Sequence, residues 1–382
     1  MRVLIAPDSF KECLTADAVA QHIATGWLRG APDDHVTQVP LADGGEGTTV
    51  TLVQAMGGTL HQVVVEGPSG ARVSACYGLI DAGKTAIVEV AEASGLQRVF
   101  ESERNALTAS SYGTGQLIMA ALHHRPETLI ICLGGSATTD GGAGLLQAMG
   151  AQLLDNNGQP IPRGGGGLIH LSSFDFSPAQ AHLVGIKTVV ACDVTNPLLG
   201  ERSAAAVFGP QKGASAEDVS VLDSNLGHFA DCVAESGYDI SSFAGSGAAG
   251  GMGGTVAGIL GGTLKPGIEL VMSAVKLETQ MQNTDLVITA EGALDGQSVS
   301  GKTPIGVAKL AQRYRVPVVG LAGQLASDDM TAIHQAGISA VFSIAPGPIS
   351  KDDAIANAAQ YLENTAEQLA RLLSSLNNRR DW

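Results

Sequence analysis

Both ends of this chain repeat one pattern, a short β-branched run closing on small or acidic residues and then a segment of helical period. "RVLIAPD" leads into "TADAVAQHIATGWLRG", and "HVTQVPLAD" into "EGTTVTLVQAMG". Towards the other end "DLVITAEG", "VPVVGLAG" and "ISAVFSIAP" alternate with "PIGVAKLAQRYR" and "DDMTAIHQAG", and "DDAIANAAQYLENTAEQLARLLSS" reads as a long closing helix. Alternation of this kind predicts βα units stacked on a parallel sheet, an α/β fold. Thr15 suits the cap of the first helix, and a glycine ends the second.

The middle breaks the pattern. "VVVEGPSGARVSACYGLI" and "TAIVEVAEASG" read as hairpin-like strands, followed by βα units at "ETLIICLGG" and "KTVVACDVT" and a glycine-dense stretch from 245 to 262. The economical arrangement puts both chain ends in one α/β domain, residues 1–60 with 284–382, and inserts residues 61–283 as a second. A length of 382 residues agrees with two domains, since single cores seldom grow that large. A hydrophobic share of 45% with 15% charged residues and 49 glycines describes a well-buried protein with many tight turns.

Charge and cysteines narrow the function. The formal net charge of −15, with no basic run, excludes an electrostatic grip on nucleic acid or an anionic membrane. A small-molecule partner is favoured, and an anionic one must be met locally by a few lysines, backbone N–H groups or a metal ion. Cys13, Cys76, Cys132, Cys192 and Cys232 are scattered, without disulfide or zinc spacing. The N-terminal apolar run is too short for a signal segment, and no stretch reaches the roughly 20 residues that span a bilayer. The expectation is a soluble cytoplasmic protein; assembly into a homo-oligomer is allowed.

In parallel α/β sheets ligands bind beyond the carboxyl ends of strands, where loops and helix N-termini converge. Acidic residues fall there repeatedly: Asp8, then Asp43 and Glu46 in "LADGGEG", Asp193 in "ACDVTNP", and Glu291 and Asp295 in "TAEGALD". Such carboxylates hold Mg²⁺ or take a proton from a substrate hydroxyl; singly, each also suits a helix cap or a turn. "CLGGSATTDGGAG" sets Gly134, Gly135, Ser136 and Thr138 between a strand and a helix, where backbone N–H groups and hydroxyls can crowd an oxyanion. Lys11, close after Asp8, can neutralise phosphoryl or carboxylate oxygens. "FGPQKG", 208 to 213, carries a similar turn-borne lysine with a weaker signal.

Two literal motifs remain. "GSGAAG", 245 to 250, spells a dinucleotide fingerprint but follows "YDISSFA", a poor strand, so close backbone packing or an anion loop fits better. Gly296 to Thr303 spells the nucleotide-binding P-loop, yet its first glycine comes several residues after the strand and past two acidic side chains. This stretch reads instead as a cation-assisted phosphate site, with Thr303 as helix cap and Lys302 near the helix N-terminus.

Taken together, "APDSFKE", "LADGGEGT", "GGSATTDGGAG", "ACDVTNPL", "FGPQKGAS", "GSGAAGGMGG" and "EGALDGQSVSGKTPIGVA" resemble, in order and spacing, the type-1 glycerate kinases. Cys13 stands where that family is expected to have serine. The resemblance implies ATP-dependent phosphorylation of D-glycerate, to 2-phosphoglycerate rather than 3-phosphoglycerate, and two α/β domains, the inserted one flavodoxin-like. In such a kinase ATP and glycerate would meet in the cleft between domains. Asp193 or Asp43 would accept the hydroxyl proton, with Lys11 stabilising phosphate. Asp8, Glu46 and Glu291 are the candidate Mg²⁺ groups. Gly134, Gly135, Ser136, Thr138, Asn196, Ser298 and Lys302 are the candidates for substrate and phosphate. The rival is a non-enzymatic α/β module that senses a sugar acid or nucleotide with the same loops.

Overall fold

A computed structural model describes residues 1–10, 13–45, 47–294, 303–325 and 330–377. The strands in chain order are β1 (Arg2–Ile5), β2 (His35–Gln38), β3 (Thr59–Glu66), β4 (Arg72–Ile80), β5 (Thr85–Glu89), β6 (Thr128–Cys132) and β7 (Gln152–Leu154). They continue with β8 (Ser173–Asp175), β9 (Lys187–Ala191), β10 (Thr263–Lys265), β11 (Leu286–Leu294), β12 (Val318–Leu325) and β13 (Ala340–Ser343).

The chain divides into two compact units, Met1–Asp43 with Ile268–Trp382, and Gly44–Gly267. In the first, five strands lie in the order β13-β12-β11-β1-β2, every pair parallel. Renumbered within the unit this is 2-1-3-4-5, the flavodoxin-like doubly wound order. Helices cover such a sheet on both faces, so its central strands read as unbroken apolar runs; Val3, Leu4, Ile5, Leu286, Val287 and Ile288 are all buried. The helix Ala16–Gly30 begins at Thr15, whose hydroxyl accepts from the Ala18 N–H, and buries Val19, Ile23 and Trp27. That face meets the helix Ala358–Asn377 so closely that a Cβ on Gly26 would lie 2.1 Å from the Glu363 carbonyl oxygen. Val3, Ile5, Ile23, Trp27, Ile288, Leu362 and Ala366 share one core.

The second unit holds a six-stranded sheet in the order β10-β9-β6-β5-β4-β3. β5, β6, β9 and β10 are parallel, while β3 and β4 add antiparallel to its edge, as the hairpin-like sequence implied. The α/β class and its parallel sheets stand; the flavodoxin-like order, expected of the inserted segment, belongs to the unit made by the chain ends. β7 and β8 form a separate two-stranded antiparallel sheet. The core gathers Val88, Leu117, Leu129, Ile131, Leu145, Leu226 and Phe229.

The joints fall at 43/44 and 267/268, where the sequence suggested 60/61 and 283/284. Packing explains both. The helix Thr48–Met56 lies on β4, with Val53 and Thr49 so near Gly78 that a Cβ there would come within 2.6 and 2.8 Å of them. Ile268 instead packs on Gly306, 2.5 Å from where its Cβ would stand, which ties it to the other unit.

Candidate active site

In the first unit the chain runs from β1 to β2 on one side and later from β11 outward on the other, so the winding reverses between β1 and β11. A doubly wound sheet opens its ligand crevice at that point, beyond the carboxyl ends of the strands. Asp8 stands there just after β1, its N–H bonded to the Ala290 carbonyl of β11 at 2.8 Å. Asp8 is 8% exposed. It accepts from the Ser9 N–H at 2.6 Å and from the hydroxyl of Thr303 at 2.5 Å, the first residue of the helix Thr303–Tyr314.

Burial, then the charge of Asp43, push the Asp8 carboxyl up to about 7; the bonds from Thr303 and Ser9 oppose this, and Glu291 adds to it. Although Glu291 lies within β11 and not at its end, Asp8, Asp43 and Glu291 therefore share one electrostatic neighbourhood. It opens on a cavity of about 940 Å³, floored by Asp8, Phe10, Glu291 and Gly323 and walled by Ile355 and Tyr361. That size suits a nucleotide rather than an ion alone.

In the second unit the parallel strands β5, β6 and β9 end side by side. After β6, Ser136 and Thr138 are buried. Gly134 has no room for a side chain, since a Cβ would lie 2.6 Å from Gly45 Cα. Asp140, fully buried, accepts from the Ser111 N–H and hydroxyl at 2.8 Å each, and from Gly142 and Gly144 N–H at 3.1 and 3.3 Å. At the end of β5, Glu89 accepts from Gly47 N–H at 3.0 Å and from Thr49 N–H. Glu89 thus caps the helix Thr48–Met56, and burial raises its pKa against those bonds. The rule that singled out the other strand-end acids would have found it in "TAIVEV".

Lys212 had only a weak sequence signal, yet it is 2% exposed. Its Nζ donates to Ser136 Oγ at 3.0 Å and to the Thr138 carbonyl at 2.7 Å. Gly213 behind it has φ +89°, and a Cβ would lie 2.4 Å from the Arg104 carbonyl, so the turn that buries the lysine requires glycine.

Asp193, after β9, is half-buried, and its Oδ1 accepts from the Gly267 N–H at 2.8 Å. Asn196 is committed to the loop, its side chain donating to the Arg202 carbonyl at 2.9 Å. Asp8, Asp43 and Glu291 belong to the first unit, whereas Gly134, Gly135, Ser136, Thr138, Asp193 and Asn196 belong to the second. Lys11, Glu46, Asp295, Ser298 and Lys302 lie outside the described residues. The "GSGAAG" stretch is a packing element: a Cβ on Gly250 would lie 2.0 Å from the Thr138 carbonyl, and the Gly141 N–H bonds to the Gly250 carbonyl at 2.9 Å.

Residues 3–374 match the model of the glycerate kinase family. The chain belongs to the glycerate kinase family. The glycerate kinase of Bacillus subtilis (strain 168) is 49% identical over 371 residues, 97% of each chain. The glycerate 2-kinase of Escherichia coli (strain K12) is 45% identical over 375 residues, 98% of each chain. A crystal structure from Salmonella typhimurium LT2, described as that of a candidate glycerate kinase 2, superposes with a TM-score of 0.86 at 45% identity, covering 99% of both chains. As a glycerate kinase family member the chain is an ATP-dependent phosphotransferase with an alcohol group as acceptor. Among the described residues no helix is long and apolar enough to cross a membrane.

Proposed function

We propose that this kinase transfers the γ-phosphoryl group of ATP to the 2-hydroxyl of D-glycerate, giving ADP and 2-phosphoglycerate. The name of the Escherichia coli relative, glycerate 2-kinase, supports the position of attack. The observation that carries the reading is the buried Asp8 at the switch point, loaded by the charges of Asp43 and Glu291. Carboxylates so arranged repel a triphosphate unless a cation lies between them.

Mg²⁺ fits that donor chemistry. It is usually held by one or two carboxylates together with substrate phosphates, rather than by an all-protein cage. Among the described residues no group of three or more His, Cys, Asp or Glu is arranged to hold a metal by itself. Asp8 and Glu291, with Glu46, would hold the ion, which when bound neutralises phosphoryl charge.

The protein's own part is positioning. Lys11 and Lys302 meet phosphate oxygens, while Gly134, Gly135, Ser136, Thr138, Asn196 and Ser298 hold substrate and phosphate. Asp193, or else Asp43, takes the proton from the hydroxyl as its oxygen bonds to the γ-phosphorus and the bond to the ADP oxygen breaks. The five free thiols suit a reducing cytoplasm. Phosphorus NMR of the product from D-glycerate and ATP tests the assignment. The 2-phosphoglycerate resonance is expected; a 3-phosphoglycerate signal would move the attack to the other hydroxyl, and no phosphoester would remove the substrate.

A further inference from the structure

The lysine of "FGPQKG" has no part in the reaction above, yet it occupies a costly position. An ammonium in the interior is tolerated only where its charge has work to do or a counter-ion. The charge of Asp140 acts on it, but that carboxylate already accepts from the Ser111 N–H and hydroxyl and from Gly142 and Gly144 N–H. Lys212 Nζ instead bonds to neutral oxygens, Ser136 Oγ at 3.0 Å and the Thr138 carbonyl at 2.7 Å. Glu103 and Arg104 line a small cavity with it, and the Arg104 guanidinium donates to the Gln211 carbonyl at 3.0 Å.

A second observation points the same way. The hydroxyls of Thr138 and Thr139 are fully buried and find no hydrogen-bond partner among the described residues. Buried polar groups are seldom left so unless a ligand or water completes them. In a chain of net charge −15 an anion needs local positive charge.

We propose that Lys212 is a positioning residue for anion binding by the loop Gly134–Thr138: its buried ammonium fixes Ser136 and Thr138 and supplies the positive charge the bound anion requires. The anion is a carboxylate or phosphoryl group, both available from the substrates of the proposed reaction, on which this inference rests. Burial lowers the Lys212 pKa to about 7, with Asp140 opposing. Its charge is therefore present below that pH and lost above it. An anion on the loop favours the charged form, and by reciprocity the charged form favours the anion.

The test is sulfate binding by calorimetry from pH 6 to pH 8, because sulfate keeps its charge throughout and needs no turnover. Affinity is expected to fall about tenfold over that range, one pKa unit of coupling being a tenfold change. Lys212→Met is expected to bind sulfate about tenfold more weakly at pH 6 with no pH dependence, and in the kinase assay to raise the KM of one anionic substrate more than it lowers kcat. Substituting carboxylate-free and phosphate-free competitors then separates the two sources. A folded K212M with wild-type sulfate affinity and pH profile overturns the proposal. If K212M does not fold, lysine-selective nitrogen NMR of the wild type decides: one ammonium should titrate near neutrality and move up by about one unit in sulfate, and an unmoved titration overturns it. A protein that binds sulfate as expected but does not phosphorylate D-glycerate would refute the substrate assignment and leave the role of Lys212 intact.

Discussion

The hydroxyl of Thr303 donates to Asp8 Oδ2 at 2.5 Å, across 295 residues of sequence, and both side chains are buried. This bond fastens the start of the helix Thr303–Tyr314 to the end of β1 and stabilises the ionised carboxylate. Thr303→Val keeps the shape and removes the donor. Hydrogen bonds to charged groups contribute about 1.5–3 kcal/mol, so chemical denaturation at pH 8 should show a loss of that order, and a smaller one at pH 5. Thr303→Ser should stay near wild type. Equal losses for both variants would mean that the methyl packing, not the bond, matters.

The raised pKa of Asp8 makes the metal-free protein pH-sensitive in a direction opposite to the usual carboxylate. Folding lifts its pKa from 3.8 to about 7. Between those values the folded state holds a proton that the unfolded state has released, so stability falls as pH rises through that window. In chelator, the melting temperature should drop from pH 5 to pH 8, by at most a few kcal/mol in free energy. Asp8→Asn should flatten that slope, melting higher than wild type at pH 8 while losing kinase activity. A D8N protein less stable than wild type at pH 8 would show that the carboxylate is better compensated than its surroundings imply.

Asp193 offers a separation of charge from structure. Its Oδ1 accepts from the Gly267 N–H, and an asparagine oxygen can accept the same bond. Asp193→Asn should keep that bond while turnover falls on the order of 10²–10⁴-fold, the range expected for a general base. Steady-state kinetics beside a thermal melt checks this. Near-wild-type turnover would take Asp193 out of proton transfer and leave Asp43 as the candidate.

The parallel sheets were legible because an apolar run followed by a helical period leaves few other folds, and Asp8 and Asp193 were legible because strand ends are readable once strands are; Glu291, expected at a strand end, lies within β11 opposite Ala322 because that strand runs on to Leu294. What escaped depends on contacts distant in sequence. Nothing in "FGPQKG" says that its lysine is buried against a loop more than seventy positions earlier. The joints were misplaced because the helix Thr48–Met56 has the period of any βα helix, and only its packing on Gly78 assigns it to the second unit. Likewise Thr303 looked like a simple cap, since its acceptor is at the other end of the chain.

Gly250 tests whether the loop around Thr138 belongs to the site at all. Its φ is +68°, and a Cβ would lie 2.0 Å from the Thr138 carbonyl and 2.7 Å from Thr139 Cα. Those are backbone atoms of the segment that carries Lys212's acceptor, so they cannot yield without moving it. Gly200 is the control, with φ +94° and nothing within 4 Å of a Cβ. Gly200→Ala should cost about 1 kcal/mol from backbone conformation alone and leave kcat/KM unchanged. Gly250→Ala combines the same conformational penalty with overpacking of about 1–3 kcal/mol, and by displacing Thr138 it should lower kcat/KM by at least about tenfold. Denaturation and steady-state assays of the two variants settle the matter: a G250A enzyme that is destabilised but catalytically intact would leave the "GGSATTDGG" loop as scaffold and return phosphate binding to the acidic crevice.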